Sequence, residues 1–386
     1  MANSPRILHC PTSTGGNPQS LARAERKLGL KSKSIVLQQN FLQYASDEVL
    51  TTKDAGRWQV EIARWKLLVR TLREFDIIHF NFGESLMPNG THRQGRTLRQ
   101  SLAKFRWVYS AYARLFELRD LPLLRRAEKG IVVTYQGDDA RQGDFTRANF
   151  AINMAAEVEA NYYSNASDEH KRWRIQQIAK YADRIYAVNP DLLRVLPSNA
   201  RFIPYASVDL TDWKPISLPS ATERTPVVLH APSHRGAKGT RFVLDAVARL
   251  QHEGIAMEFV LVEGMSNAEA RVLYEKADLL IDQVLAGWYG GLAVELMALG
   301  KPVICYIREE DLQFIPEQMA AELPIIQATP ASLYETLKEW VTIRRHELPA
   351  VGVRSRSYVE NWHDPLKIAA MLKQDYTAIM AIKRGG

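Results

Sequence analysis

The chain has 386 residues, of which 46% are hydrophobic and 24% are charged, the composition of an ordinary globular protein. Its two cysteines, Cys10 and Cys305, lie far apart and without metal-ligand spacing, which excludes a disulfide framework and indicates a reducing compartment. No apolar run approaches the roughly 20 residues that span a bilayer, and no signal segment opens the sequence. We therefore expect a cytoplasmic protein that at most lies on the inner face of a membrane.

Short apolar runs alternate along the chain with longer amphipathic stretches. The runs lie at residues 6–10, 34–38, 76–80, 131–135 and 184–188 in the first half, and at 227–231, 258–262, 279–283, 302–307 and 323–327 in the second. They lack polar alternation, as expected of parallel strands that are covered on both faces. This alternation predicts an α/β protein with doubly wound sheets.

The alternation is interrupted once, at residues 209–226, where three prolines and several serines and threonines predict a linker. Each side of the linker can form its own α/β unit. We therefore predict two Rossmann-like domains, residues 1–208 and 227–360, that face each other across a cleft. Ligands of such sheets bind beyond the carboxyl ends of the strands.

A candidate anion site follows the first strand of the second half. Residues 230–240 read HAPSHRGAKGT, in which Ser233, Arg235 and Lys238 lie between an apolar run and a helical pattern. A glycine-broken turn that carries cations at a helix start attracts anions. The order Lys-Gly-Thr differs from the Gly-Lys-Thr of a P-loop, so we expect phosphate to be held in another way.

A second helix start supplies the other half of this site. Gly290, Gly291 and Leu292 lead into a helical pattern that ends at Gly300, and Glu295 lies one turn inside it. The free N–H groups of a helix N-terminus bind phosphate, and glycines let a ligand approach the backbone closely. Because a carboxylate accepts hydrogen bonds from ribose hydroxyls, the combination predicts a site for a nucleoside diphosphate that requires no metal and no cofactor.

These residues resemble the donor domain of retaining GT-B glycosyltransferases of the family 4 type, also called bacterial group 1. The resemblance rests on the Arg-and-Lys-Gly loop, the glycine turn, the helix glutamate and the segment ALGKPV at 298–303. The first half agrees more loosely, at Gly15-Gly16 and at residues 76–79, 134–139, 189–192, 203–204 and 208–209. The tail, residues 361–386, resembles the final helices of that family, which pack back toward the first domain.

The resemblance implies transfer of a sugar from a UDP- or GDP-sugar to an acceptor hydroxyl, with retention, in polysaccharide or glycolipid biosynthesis. Arg235 and Lys238 would then stabilise the leaving diphosphate, which itself takes the acceptor proton. The other donor-binding residues would be Gly15, Gly16, Ser233, Gly290, Gly291, Leu292 and Glu295. Gln136, Asp139 and Arg141 are candidate contacts to the acceptor or the sugar, while a turn capped by Asp138 is an equally open interpretation of that segment.

Two positions depart from the family pattern. Gly287 stands where family members often have a glutamate that contacts the transferred hexose, so the sugar is not identified. Gln136 stands where they often have histidine, and glutamine can hydrogen-bond a sugar but cannot shuttle protons.

A basic segment at residues 92–130 has ten basic and three acidic residues, an excess equal to the net charge of +7 of the whole chain. Its helical pattern at 96–118 places an apolar stripe opposite a basic face that includes Trp107. This pattern is typical of a helix on an anionic membrane or of a seat for a lipid-linked acceptor, and equally of a surface helix packed on the first domain. The stripe consists of Leu98, Leu102, Phe105, Tyr109, Tyr112 and Phe116, and the basic face of Arg96, Arg99, Lys104, Arg106 and Arg114.

Three functions stay open at this point. A glycosyltransferase that acts on a saccharide or lipid-linked acceptor is the leading one. A sugar-nucleotide epimerase shares the architecture, and a non-catalytic nucleotide-sugar binding protein would explain Gly287. No nucleic-acid partner is expected, because no recognised binding motif is present. The nucleotide base, the sugar, the acceptor and the oligomeric state do not follow from the sequence.

Overall fold

A computed structural model describes residues 4–39, 43–90, 103–216 and 224–385 of the chain. Two separate sheets, of seven and five parallel strands, form the centres of two α/β domains. Helices lie on both faces of each sheet, so the central strands are apolar and buried on both sides. The predicted fold class, two doubly wound Rossmann-like domains, is confirmed.

The first sheet has the strand order β3-β2-β1-β4-β5-β6-β7 and is parallel throughout. Five of its strands correspond to the apolar runs in the sequence. The two others, β3 and β7, are two-residue strands, too short to produce a pattern. The strands are β1 (Arg6–Cys10), β2 (Lys31–Val36), β3 (Glu48–Val49), β4 (Ile77–Asn81), β5 (Gly130–Tyr135), β6 (Arg184–Ala187) and β7 (Arg201–Phe202).

The second sheet has the strand order β12-β11-β10-β8-β9 and is also parallel. All five of its strands were expected from the apolar runs. The order reverses between β8 and β10, and at such a switch point the loops diverge and leave a crevice for ligands. The strands are β8 (Val227–His230), β9 (Glu258–Leu261), β10 (Leu279–Ile281), β11 (Val303–Cys305) and β12 (Ile326–Gln327).

The helices alternate with the strands, as doubly wound sheets require. No helix among the described residues is long and apolar enough to cross a bilayer. The first domain contains α1 (Asn17–Lys27), α2 (Arg57–Glu74), α3 (Ala103–Phe116), α4 (Asp120–Arg126), α5 (Gly143–Asn149) and α6 (Asn165–Ala179). The remaining helices are α7 (Arg235–Lys238), α8 (Thr240–His252), α9 (Asn267–Lys276), α10 (Gly291–Ala298), α11 (Glu317–Ala321), α12 (Leu333–Val341), α13 (Leu348–Trp362) and α14 (Pro365–Gly385).

The last helix, α14, packs on α1 and β5 of the first domain. Its buried Tyr376 donates a hydrogen bond to Glu25 of α1 at 3.0 Å and lies 2.7 Å from Nδ1 of His79 on β4. Asp375 accepts a hydrogen bond from Arg184 of β6 at 3.0 Å. These buried polar contacts fix the end of the chain to the first domain, so the two domains are joined at more than one place.

Helix α3, which belongs to the basic segment, packs its apolar stripe against α2 of the first domain. Tyr109 and Tyr112 each donate a hydrogen bond to Glu61 of α2 at 3.0 Å, and Trp65 of α2 meets the edge of Phe116. Trp107 on the outer face is 69% exposed. The rest of the pattern lies outside the described residues, namely Arg96, Leu98, Arg99 and Leu102 and the side chains of Lys104, Phe105 and Arg106.

Candidate functional site

The carboxyl ends of both sheets open onto one cleft between the domains. The cleft holds a cavity of about 450 Å³. The first domain contributes the loops after β1 and β5, and the second contributes the loop after β8, the segment 262–267 after β9, and the start of α10. A cavity at the carboxyl ends of two doubly wound sheets, beside the β8–β10 switch point, is the expected position of a ligand site.

The N-terminus of α10 points its free backbone N–H groups toward this cleft. Gly290 is the N-cap in extended conformation, and Gly291, Leu292 and Ala293 form the first turn, whose N–H groups have no partner within the helix. A Cβ added to Gly291 would meet no atom within 4 Å, so the backbone is open to a ligand there. Gly290, Gly291 and Leu292 all line the cavity.

The cationic loop is a short helix, α7, rather than the bare turn expected from the sequence. The imidazole of His234 caps it by accepting the backbone N–H of Ala237 at 3.2 Å. Gly239, whose φ is +74°, interrupts the helical conformation between α7 and α8. Ser233, His234 and Lys238 line the cavity, and the Lys238 ammonium lies 3.1 Å from a carboxylate oxygen of Asp282.

Arg235 takes a different position from Lys238. Its guanidinium pairs with Glu263 at 2.5 Å, and its side chain is 58% exposed. It does not belong to the described residues that line the cavity. The sequence predicts two cations that face a diphosphate, whereas the structure brings Lys238 alone to the cavity wall and turns Arg235 toward Glu263.

Glu295 lies one turn inside α10, buried at the floor of the cleft. It accepts hydrogen bonds from the hydroxyl of Tyr44 at 2.9 Å and from the side-chain amide of Asn267 at 3.0 and 3.2 Å. Burial raises its pKa to about 7, although the hydrogen bonds of Tyr44 and Asn267 act in the opposite direction. Tyr44 comes from the first domain, so this contact crosses the cleft.

The turn after β5 presents Gln136 to the cavity. The Gln136 side chain is only 8% exposed, and its Oε1 accepts a hydrogen bond from Asn17 at 3.1 Å. Its Nε2 has no partner among the described residues, so a buried amide donor is free to meet a ligand. The carbonyl of Gln136 is held by Asn189, whose Oδ1 accepts the Tyr205 hydroxyl at 2.8 Å.

The neighbouring acids have structural partners. Asp139, rather than Asp138, caps the turn, since its carboxylate accepts the backbone N–H groups of Gln136 and Gly137 at 3.0 and 2.6 Å. Burial raises the pKa of Asp139 to about 6. Asp139 does not appear among the described lining residues, whereas Asp138 and Arg141 do.

Arg141 is held at the wall of the cavity by a buried ion pair with Asp191 at 2.6 Å. Asp138 accepts hydrogen bonds from the hydroxyls of Tyr162 and Tyr163. Burial alone would raise the pKa of Asp138, but Arg141 and the two hydroxyls lower it below its ordinary value. This cluster therefore keeps one guanidinium and one carboxylate fixed beside the cleft.

The glycine pair after β1 is divided between two roles. Gly15 lines the cavity near Gln136, whereas Gly16 packs under the ring of Tyr44, where an added Cβ would come within 2.8 Å of the ring. Gly16 has φ of +72°, which favours glycine. Gly16 therefore makes room for the ring of Tyr44, the tyrosine that contacts Glu295.

Proteins of known structure share this arrangement of two domains. No family model and no curated protein sequence matches the chain. Solved structures do match: sucrose-phosphate synthase from Thermosynechococcus elongatus covers 98% of this chain and 100% of its own, with a TM-score of 0.61 and 16% identity. HepE from Anabaena, in complex with UDP-glucose, covers 96% and 99%, with a TM-score of 0.60 and 11% identity. A glycosyltransferase from Rickettsia africae covers 98% and 99%, with a TM-score of 0.57 and 14% identity.

The chain has the GT-B fold. The structural match extends over nearly the full length of this chain and of each of these proteins. At identities this low the likeness establishes the fold, and the chemistry has to be argued from the residues in the cleft.

Local packing accounts for Gly287, the position that departs from the family pattern. Gly287 has φ of +81°, and an added Cβ would lie 2.6 Å from the guanidinium of Arg308. Arg308 is buried, pairs with Asp311 at 2.9 Å and donates to the carbonyl of Ile152 in the first domain at 3.1 Å. The space that a longer side chain would need at position 287 is therefore filled by an arginine that joins the two domains.

Among the residues of the cleft region that the sequence does not predict are Tyr44, Asn267 and Asp282. Tyr44 lies in a loop without any pattern. Asn267 follows Ser266, whose capping box with Glu269 marks a helix start just after a predicted strand, so this signal was available. Asp282 ends an otherwise apolar run, and a lone carboxylate at the end of a buried strand was the second available signal. Within the described residues, no group of three or more His, Cys, Asp or Glu side chains could hold a metal.

Proposed function

We propose that this protein transfers a sugar from a nucleoside diphosphate sugar to the hydroxyl group of an acceptor. One observation carries the proposal: the open N-terminus of α10, the ammonium of Lys238 and the carboxylate of Glu295 line the same interdomain cavity. The N–H groups and Lys238 suit a diphosphate, and Glu295 suits the two hydroxyls of a ribose. The UDP-glucose bound by the Anabaena protein of the same fold supports a nucleotide sugar as the donor.

In this reaction the cleft acts mainly on the leaving group. Negative charge develops on the diphosphate as the glycosidic bond breaks, and fixed donors at that position lower the barrier. Removal of one such donor typically reduces the rate by about 10²–10³. Lys238 is the side chain placed for this role, and we propose that the N–H groups of Gly291 and Leu292 act beside it.

We propose further that the sugar is transferred with retention and that the leaving diphosphate takes the acceptor proton. The support is that each carboxylate among the described lining residues already has a hydrogen-bond or ion-pair partner, so none is set apart to act as a base. Tyr162 and Tyr163 bind Asp138, Arg235 binds Glu263, and Tyr44 and Asn267 bind Glu295. Gln136 offers an N–H donor to a sugar oxygen and no base.

A binding screen followed by a donor-consumption assay tests the proposed function. The purified protein is melted with UDP-, GDP- and ADP-sugars, since a ligand that binds the folded state raises the melting temperature. The donor that stabilises the protein is then incubated with it, and the products are followed by NMR. Slow release or transfer of the sugar supports the transferase, with the anomer reporting retention. Conversion to an isomeric nucleotide sugar would indicate an epimerase, and an unchanged donor would indicate a binding protein.

We also propose that the acceptor is a saccharide or lipid-linked saccharide reached at an anionic membrane surface through α3, in polysaccharide or glycolipid biosynthesis. The support is the excess of basic residues at 92–130 and the exposed Trp107. Each basic residue near such a surface contributes about 1 kcal/mol, which salt screens.

Vesicle co-sedimentation tests this membrane proposal. We expect binding to anionic vesicles that is weaker on neutral vesicles and lost in salt. Glutamine in place of four basic residues should abolish it, namely Arg99, Lys104, Arg106 and Arg114. A matched control carries glutamine at four exposed basic residues of the second domain and its tail, Arg249, Lys276, Arg354 and Lys367. Equal binding to neutral and anionic vesicles, or equal loss in both variants, would contradict the proposal.

A further inference from the structure

A buried carboxylate connects the two halves of the proposed diphosphate site. Asp282 follows β10, and its side chain is 1% exposed. One oxygen lies 3.1 Å from the ammonium of Lys238 on α7, and the other accepts the backbone N–H of Gly290 at 2.7 Å. A single side chain therefore contacts both the cationic loop and the glycine turn before α10.

The geometry leaves Lys238 little freedom. An added Cβ at Gly290 would lie 3.0 Å from the Lys238 ammonium and 3.4 Å from Asp282, so the three groups are in close packing. A free lysine side chain samples many rotamers, and holding it in one costs entropy that a fixed partner offsets. The Lys238 ammonium has three N–H donors, of which Asp282 takes one. Within the part of the chain that the structure describes, the ammonium makes no other hydrogen bond, so the two other donors remain for a ligand in the cleft.

We infer that Asp282 is a positioning residue that holds the Lys238 ammonium against the diphosphate of the donor. The inference rests on the proposed function and adds a residue to it. Asp282 does not line the cavity among the described residues, so it acts through Lys238 rather than on the substrate. Its own charge is offset by Lys238, and its second oxygen is occupied by Gly290, which keeps the carboxylate from turning toward the ligand.

The variant Asp282→Asn isolates the contact with Lys238. The remaining carbonyl oxygen can still accept the Gly290 N–H, whereas the new amide group presents N–H donors to an ammonium that has no acceptor to offer them. Lys238 then loses its fixed partner and its position. Misplacement of a catalytic group by about 1 Å can reduce the rate by about 10².

A matched control lies at the opposite end of the same strand. Asp278, at the other end of β10, is also buried, accepts the backbone N–H of Val227 at 2.8 Å and pairs with Arg224 at 2.5 Å. Asp278→Asn therefore removes a carboxylate with the same kinds of partner, far from the cleft. It controls for the general effect of changing a buried ion pair.

The test is a double-mutant cycle read by calorimetry with UDP and uridine, or with the diphosphate and nucleoside of whichever base the screen selects. We expect Asp282→Asn to weaken diphosphate binding at least tenfold and to leave nucleoside binding unchanged. In a Lys238→Met background it should have no further effect, because the group through which it acts is gone. Asp278→Asn should change neither affinity.

The opposing results are distinct. Undiminished diphosphate binding by folded Asp282→Asn, or a loss that adds fully to that of Lys238→Met, would overturn the positioning role while leaving the proposed function intact. Absence of any nucleoside diphosphate binding in the wild-type protein would overturn both. Should Asp282→Asn not fold, the same cycle is run with Asp282→Glu, which keeps the charge but moves the carboxylate relative to the Lys238 ammonium and the Gly290 N–H, and is expected to give the same non-additive loss.

Discussion

Replacement of Glu295 with glutamine should remove a pH dependence from the stability of the protein. Burial raises the pKa of Glu295 from 4.5 to about 7, while an unfolded glutamate ionises at its ordinary value. Between these values the folded state binds more protons than the unfolded state, so the unfolding free energy falls as the pH rises. A shift of this size corresponds to about 3 kcal/mol.

The contribution of protonated Glu295 is complete below pH 4.5, declines as the pH rises toward about 7, and is lost above it. Urea unfolding of the wild type and of Glu295→Gln, at intervals from pH 4.5 to 8, measures the difference. We expect the wild type to lose about 3 kcal/mol relative to Glu295→Gln over this range.

A second carboxylate in the same cavity serves as the control. Glu263 is paired with Arg235, which lowers its pKa, so Glu263→Gln should show no decline of this kind. A constant difference in unfolding free energy between the wild type and Glu295→Gln across the range would show that the pKa of Glu295 is not raised in the folded protein. Nucleoside affinity provides a second measure, because an ionised carboxylate accepts both hydroxyl groups of the ribose. The affinity of the wild type should rise as the pH rises through 7, whereas that of Glu295→Gln should stay level.

Two glycine substitutions test the contacts between the domains. Gly287→Ala places a residue with φ of +81° against Arg308, and the strain should lower the unfolding free energy by about 1–3 kcal/mol in a denaturant titration; an unchanged midpoint would contradict the packing. Gly236→Ala would bring a methyl group within 2.5 Å of the carbonyl oxygen of Glu157 in the first domain. Since that oxygen belongs to the backbone and cannot move aside, the two domains have to separate there. We expect turnover to fall more than nucleotide affinity. Equal changes in turnover and affinity would show that close contact of the domains at this point is not needed for transfer.

The fold was largely predictable because doubly wound sheets produce long, regular patterns. Ten apolar runs correspond to ten of the twelve strands in the described part of the chain, and the two missed strands, Glu48–Val49 and Arg201–Phe202, are too short to show a period. The glycine turn before α10 was predictable for a related reason. Only glycine permits close approach at a helix start, so the residue type itself carries the signal.

The contacts across the cleft were not predictable, because they depend on how two separately folded domains meet. Tyr44 reaches Glu295 from a loop 251 residues away in sequence, and no local pattern encodes that encounter. Arg235 and Lys238 look equivalent in the sequence, yet they sit on different sides of α7 and take different carboxylates, Glu263 and Asp282. Gly287 reads as a missing contact, whereas the structure shows the space that Arg308 occupies.

We propose that the cleft activates a nucleoside diphosphate leaving group through Lys238. The rate at which the wild type and Lys238→Ala consume the nucleotide sugar selected by the binding screen, measured as release of the nucleoside diphosphate, tests this role. We expect Lys238→Ala to melt like the wild type but to release the diphosphate about 10²–10³ times more slowly. A folded Lys238→Ala variant that works at the wild-type rate, or a wild-type protein that consumes no nucleotide sugar, would contradict it.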